Sequence, residues 1–213
     1  MVVSTLAILG CYEVLLALVQ LRHPERLARS AHASLRADWF AAVSAQAGSE
    51  ILAVQTLRNS LMSATMTAST AALGLMGAVT LAAPSLRAAG SAGAPELLQA
   101  LSPRLVLELV LMALLLASLV SSAMAIRYYN HAGFICAMPV GSPARQHWAR
   151  SGAVYVRRAG LLYSWGLRQL IMVAPVLASM LLPAAGPVAA GLVLIVMFAF
   201  DRLGVHSSAQ RPA

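Results

Sequence analysis

Long apolar runs separated by short polar segments dominate this chain. Residues 61–83 contain no charged side chain. A run of this length exceeds the roughly 20 residues that a helix needs to cross a bilayer. Comparable runs recur along the chain and predict an all-α integral membrane helix bundle, a single domain over residues 1–213, with about five transmembrane helices. The predicted spans are residues 2–21, 54–83, 104–126, 158–182 and 186–203.

Serine and proline residues mark where several of these helices begin and end. Ser102-Pro103 and Ser142-Pro143 each predict an N-cap followed by the first helical residue. The charge-free stretch Leu170–Phe200 would be ~46 Å long as one straight helix, too long for a single span. Pro183–Pro187 therefore predicts a hairpin in its middle. Because the last segment is short, a tilted or re-entrant element is the alternative to a full span.

The distribution of arginine predicts how the helices are oriented. The net charge of +8 comes from 15 basic residues, all of them arginine. They concentrate after the first and third spans, two more follow the fifth, and the loop after the second has only Arg87 and, at its edge, Arg104. Short cytoplasmic loops collect positive charge. We expect a bacterial inner membrane protein with its N-terminus outside and its C-terminus in the cytoplasm. The basic face favours anionic lipids as partners, and topology accounts for the charge without nucleic acid.

Composition excludes a soluble domain, because 60% of the residues are hydrophobic and only 10% are charged. The two cysteines, Cys11 and Cys136, do not suggest a disulfide framework. Between the first two spans, Pro24–Gln46 predicts a helix lying at the membrane interface. Trp39 and Phe40 would anchor this interfacial cytoplasmic helix among the lipid head groups.

A polar stripe is predicted at the start of the second span. On a helix, Gln55, Arg58, Asn59, Met62 and Met66 fall within one sector about 100° wide. One interpretation is that these side chains face the bundle interior and help helices pack and hydrogen-bond. The other is a site for a small anion or an anionic head group, because arginine and asparagine together offer several donors.

Two charged residues are predicted at similar depth inside the membrane. Glu13 lies midway along the first span, and Arg168 lies about ten residues into the fourth. Charges in hydrocarbon usually persist by pairing, so a buried Glu13–Arg168 ion pair is expected. Such a pair would either fix which helices meet or take part in gating or substrate coordination.

A third polar group, Arg127, Asn130 and His131, follows the third span. Asn130 and Gly133 permit a turn away from the helix there. His131 is a candidate ligand or proton carrier, although an isolated histidine at an interface is more often only hydrogen-bonded. The sequence contains no zinc, haem, P-loop, Rossmann or nucleophile-elbow motif. We therefore expect neither an enzyme nor a bound metal or cofactor.

Three stretches resemble a known family. Ala53–Met62 (AVQTLRNSLM) resembles the signature of the small membrane family named domain of unknown function 599. Arg127–Phe134 (RYYNHAGF) and Gly166-Leu167-Arg168 are similar to its second and third recurrent stretches. The resemblance implies a multi-span bacterial-type membrane protein of about this length. It implies no activity, because the family is defined without one.

Three classes of function are compatible with this pattern. The first is an oligomeric channel or transport component that recognises a small anion or an anionic head group through intramembrane arginine and asparagine. The alternative is a structural or assembly subunit of a larger membrane complex, favoured by the small-residue content. An enzyme acting on lipid, with His131 or Glu13 as base, has the least support. Either main hypothesis implies a homo-oligomer or a subunit of a complex.

Overall fold

The structure, a computed structural model, describes residues 1–22, 28–90 and 102–203, and all of its regular elements there are helices. This confirms the all-α fold class. The helices are α1 (Val2–Arg22), α2 (Ala28–Ala45), α3 (Glu50–Gly90), α4 (Pro103–Ala137), α5 (Pro143–Leu181) and α6 (Ala185–Leu203).

Four helices, α1, α3, α4 and α5, are long and apolar enough to cross a membrane, and the apolar part of α6 is shorter. At 41, 35 and 39 residues, α3, α4 and α5 are ~53–62 Å long, well beyond the ~30 Å of hydrocarbon. All three continue past their predicted spans, since α3 covers Glu50–Gly90, α4 runs on to Ala137 and α5 begins at Pro143. The predicted turn at Asn130 and Gly133 is wrong, because α4 passes through both residues without a break.

The additional turns of α4 and α5 lie at one end of the bundle, which we call the arginine-rich end. It is where α2 lies, where α3 and α5 begin and where α4 ends. The arginines at this end include Arg36, Arg58, Arg127, Arg145, Arg150, Arg157 and Arg158. The helices therefore form a bundle that is taller than a bilayer and basic at one end.

Helix α5 is the central element, and the other helices cover different parts of it. On its C-terminal half, the Ser179 hydroxyl donates to Thr5 Oγ1 at 3.1 Å, and Arg168 contacts both α1 and α6. These contacts align α1 and α6 antiparallel to α5. On its N-terminal half, α2 lies against α5 with Phe40 packed on Gly152. Helix α4 runs alongside both halves, and Ser118 Oγ donates to the Gly166 carbonyl at 2.7 Å.

The helix α2 differs from the expectation for an interfacial anchor. Phe40 is 1% exposed, enclosed in the core rather than free to enter a lipid head-group layer. The physical reason is Gly152, since any Cβ at that position would overlap the Phe40 ring. The first residues of the predicted helix, 24–27, lie outside the described residues.

The turn between α4 and α5 is held by polar contacts. Ser142 Oγ accepts a hydrogen bond from the Arg145 amide at 3.3 Å, which confirms the predicted cap. The Arg145 guanidinium is buried and donates from Nη1 to the carbonyl oxygens of Cys136 and Met138, at 2.9 and 2.5 Å. A cation at the C-terminal end of α4 is favoured by the helix dipole. Across the turn, the Val140 amide donates to Glu50 Oε1 at 3.1 Å, which joins α3 to this end of the bundle.

Candidate functional site

Arg168 lies at the centre of a polar cluster formed by α1, α5 and α6. Its Nη2 donates to both carboxylate oxygens of Asp201, at 3.0 and 2.8 Å. Its Nη1 donates to the Tyr12 hydroxyl oxygen at 2.7 Å. The Arg168 side chain is only 7% exposed and that of Asp201 is 19% exposed. The guanidinium is thus neutralised by a carboxylate of the same chain, and we call these three residues the Arg168 cluster.

The Arg168 cluster lies inside the predicted hydrocarbon layer. Counted at 1.5 Å per residue, Arg168 is ~20 Å from the end of α5, and Asp201 is ~24 Å from the start of α6. Both helices meet at the hairpin near Pro183, so these distances run in the same direction. An unpaired charge at this depth is costly, and removing one member of a buried pair is strongly destabilising.

The predicted Glu13–Arg168 pair named the wrong carboxylate. Arg168 is paired with Asp201, and Glu13 Oε1 instead accepts a hydrogen bond from Gln169 Nε2 at 3.5 Å. The cause is the hairpin, which lays α6 antiparallel on α5 and brings Asp201 alongside Arg168. The sequence carries a signal for this pair, because Arg168 and Asp201 are at similar distances on the two sides of Pro183–Pro187. Tyr12, the neighbour of Glu13, supplies the contact from α1.

A second site unites two motifs that are distant in sequence. A cavity of about 390 Å³, here called the α3–α4 cavity, is lined by Arg58 of α3 and by Asn130 of α4. The other lining residues are Val54, Leu57, Leu61, Tyr129, Gly133, Phe134 and Ala137. The Arg58 side chain forms no ion pair with any residue that the structure describes. In contrast to Arg168, Arg58 is an available cation in an otherwise largely apolar cavity.

The remaining predicted site residues are on the outer surface. Gln55, Asn59, Arg127 and His131 are all exposed, and the His131 ring lies 5.9 Å from the Tyr155 ring centroid. Within this chain the α3 stripe therefore faces outwards and not into the interior of the bundle, as the first of the two interpretations expected.

The opposite face of α3 explains this orientation. It presents buried alanines that allow close approach to α4, whereas Met62 and Met66 are 52% and 69% exposed. These small residues are Ala53, Ala64, Ala68, Ala71, Ala78 and Ala82. Within the described ranges, no group of three or more histidine, cysteine, aspartate or glutamate side chains could hold a metal ion.

Comparison with known proteins gives one match. The family model described as "Protein of unknown function, DUF599" matches residues 1–204, so the chain belongs to this family. No curated protein and no solved structure matches the chain.

The Arg168 cluster makes a prediction about stability. Asp201→Asn removes the counter-charge of a buried guanidinium, and we expect it to lower the free energy of unfolding by ~3–5 kcal/mol. Tyr12→Phe removes the hydrogen bond that the hydroxyl accepts from Arg168 and the longer one, at 3.4 Å, that it donates to Asp201, and it should cost ~1–3 kcal/mol. Thermal unfolding of the detergent-purified protein, followed by tryptophan fluorescence, measures both changes.

The double variant Arg168→Leu, Asp201→Leu provides the control, since it removes both charges together. It should be more stable than Asp201→Asn alone, because no unpaired charge remains in the apolar layer. Equal stability of the wild type and Asp201→Asn would show that Asp201 does not neutralise Arg168.

Proposed function

We propose that this member of the DUF599 family is a membrane transport component that recognises an anionic head group, or a small anion of the same chemistry, at the α3–α4 cavity. The observation that supports this is the presence of Arg58 and Asn130 on one cavity wall. In this proposal, the arginine-rich end faces the cytoplasm of a bacterial inner membrane, as the positive-inside rule favours.

The chemistry of the α3–α4 cavity suits an anionic amphipath. The Arg58 guanidinium offers a planar set of donors that matches phosphate or carboxylate, and the Asn130 amide adds further donors. Beside them, Leu57 and Phe134 provide an apolar wall for the first carbons of a lipid chain. Among the described residues, no acidic side chain lines the cavity, so its charge complements an anion.

The depth of the α3–α4 cavity also supports head-group recognition. Arg58 lies three residues before the charge-free stretch 61–83, a distance of ~5 Å along the helix. Asn130 lies four residues beyond the predicted span 104–126, or ~6 Å. Both side chains are therefore near the level where head groups meet the hydrocarbon. A complete path across the membrane would run between copies of this small bundle in an oligomer.

The proposal predicts a specific loss of anionic ligand. In nanodiscs that contain phosphatidylglycerol and phosphatidylcholine, Arg58→Gln should reduce the phosphatidylglycerol retained by the protein about tenfold, as expected for loss of a charge-assisted hydrogen bond worth ~1.5–3 kcal/mol. Native mass spectrometry counts the retained lipids. Parallel titration with inorganic phosphate determines whether the ligand is a lipid head group or a free anion.

The matched control is Arg150→Gln, which removes an exposed arginine from the same end of the bundle but outside the cavity. It should retain phosphatidylglycerol like the wild type. If Arg58→Gln and Arg150→Gln lose the same amount of phosphatidylglycerol, the loss reflects general surface charge, and this result would contradict the proposal.

An assembly role is the second candidate, and the outer face of α3 favours it. Exposed positions recur there at the three- and four-residue spacing of a helix–helix seam, and six of these eight carry small or polar side chains. The six are Thr56, Asn59, Ser63, Thr70, Gly77 and Thr80, and the large side chains of Met66 and Leu73 occupy the other two.

The small and polar side chains on this face of α3 also suit a helix partner better than lipid. Hydroxyls of this face, those of Ser63 and Thr70 among them, donate to carbonyls of the preceding turn, which leaves a smooth surface for close packing. The exposed face of α6 carries large side chains such as Ile195 and Phe198. Large aliphatic groups suit lipid, whereas small and polar ones suit another helix.

Disulfide trapping tests this second candidate. In a chain whose Cys11 and Cys136 are replaced by alanine, Ser63→Cys should form a cross-linked dimer under mild oxidation in native membranes. Val188→Cys, which is also exposed but lies on α6, should stay monomeric. A cross-link to a different protein would support a heteromeric complex, and equal behaviour of the two variants would contradict an interface on α3.

A further inference from the structure

A second, larger groove lies on the side of the bundle that carries α2, α5 and α6. Its volume is about 560 Å³, within the range of pockets that hold small molecules. One part of its wall is apolar and includes Ile171, Leu192 and Val196. The other part carries four polar side chains, those of His32, Ser164, Arg168 and Asp201. We call it the α5–α6 groove, and it shares no residue with the α3–α4 cavity.

The polar and apolar parts of this groove are ordered along the bundle axis. Along α5, Ser164 is nearest the arginine-rich end and Ile171 is farthest from it, and along α6 the order runs from Asp201 to Leu192. The residues of α6 that line the groove, from Leu192 to Asp201, extend ~14 Å along the helix, which is about half of the hydrocarbon thickness. The groove therefore has the length and direction of one lipid leaflet, with its polar end towards the head groups.

The charge of the polar end selects among lipids. The guanidinium of Arg168 is already engaged by Asp201 and Tyr12, so its charge is compensated within the protein. Of the ion pair, the carboxylate is the more exposed member, at 19% against 7%. A phosphate placed here would meet this carboxylate and be repelled. A hydroxyl can instead donate to Asp201 and accept from Ser164 or His32.

We propose that the α5–α6 groove binds an acyl chain of a lipid whose polar group is uncharged, such as a diacylglycerol, with the lipid hydroxyl at His32, Ser164 and Asp201. The chain lies against Ile171, Leu192 and Val196 and enters sideways from the bilayer. Because its lining and its ligand differ from those of the α3–α4 cavity, this site stands whether or not Arg58 binds an anionic head group.

Photo-cross-linking tests this site with two probes that differ only in the phosphate. Full-length protein in phosphatidylcholine nanodiscs is irradiated with diacylglycerol that carries a diazirine in one chain, or with phosphatidic acid that carries the same chains. Mass spectrometry then maps the labelled residues. Diacylglycerol should label α5 and α6 at groove residues, and phosphatidic acid should label them several-fold less.

Two tryptophan substitutions at neighbouring positions provide the matched pair. Val196 lines the groove and is 53% exposed, whereas Ile195 is 67% exposed and lies outside the lining. Val196→Trp should exclude two or more methylenes of the chain and reduce groove labelling about tenfold. Ile195→Trp should label like the wild type, and both variants should elute as folded protein because each side chain is on the outer surface.

Several results would overturn the assignment. These are equal labelling in Val196→Trp and Ile195→Trp, equal labelling by the two probes, and labels spread evenly over outward residues such as Val188. The last pattern indicates only the annular lipid that surrounds any membrane protein. A cross-link between copies through the groove residues would indicate that a second chain, not a lipid, occupies it.

Discussion

A guanidinium cannot remain in hydrocarbon without a counter-charge, and this constraint organises half of the bundle. Arg168 is enclosed by α1, α5 and α6, and its partners Tyr12 and Asp201 come from the two helices that flank α5. An ion pair of this kind is not more stabilising than an apolar pair of the same volume. Its effect is on specificity, because any arrangement that separates α6 from α5 leaves two charges exposed to lipid.

The same principle assigns different roles to the two arginines that drew attention in the sequence. Arg168 is 7% exposed and is paired within the protein itself, which indicates a role in the fold. Arg58 is exposed and has no carboxylate partner among the described residues, which leaves its guanidinium available for the ligand that we propose. Burial and the presence of a partner, rather than residue type, therefore distinguish the paired cation from the candidate binding cation.

Much of the fold is predictable from local signals in the sequence. Apolar runs locate the helices, and Ser102-Pro103 and Ser142-Pro143 fix two helix starts, because capping depends only on neighbouring residues. The lengths of α4 and α5 are not predictable from hydropathy. A helix extends beyond its apolar run when its polar turns pack against neighbouring helices. Phe40 shows the same limit, because its burial depends on a glycine more than 100 positions away, Gly152.

The candidate site could be named from the sequence as separate residues but not as an arrangement. Arg58 and Asn130 belong to two separate motifs of the sequence, and the fold brings them to one cavity. Which side of α3 packs against α4, the polar stripe or the alanines, was not predictable from the sequence. Alanine and polar residues can each form a packed face in a membrane bundle. The partner of Arg168 was not predictable either, since choosing between Glu13 and Asp201 requires the geometry of the α5–α6 hairpin.

Chemical modification of arginine in the intact protein tests the separation of roles most directly. Phenylglyoxal reacts with accessible guanidinium groups, and peptide mass spectrometry reports the rate at each arginine of the native, detergent-solubilised chain. We expect rapid modification of Arg58, slowed by added phosphatidylglycerol, and protection of Arg168 until the protein unfolds. Modification of Arg168 as fast as that of Arg58 in the folded protein would contradict this separation of roles.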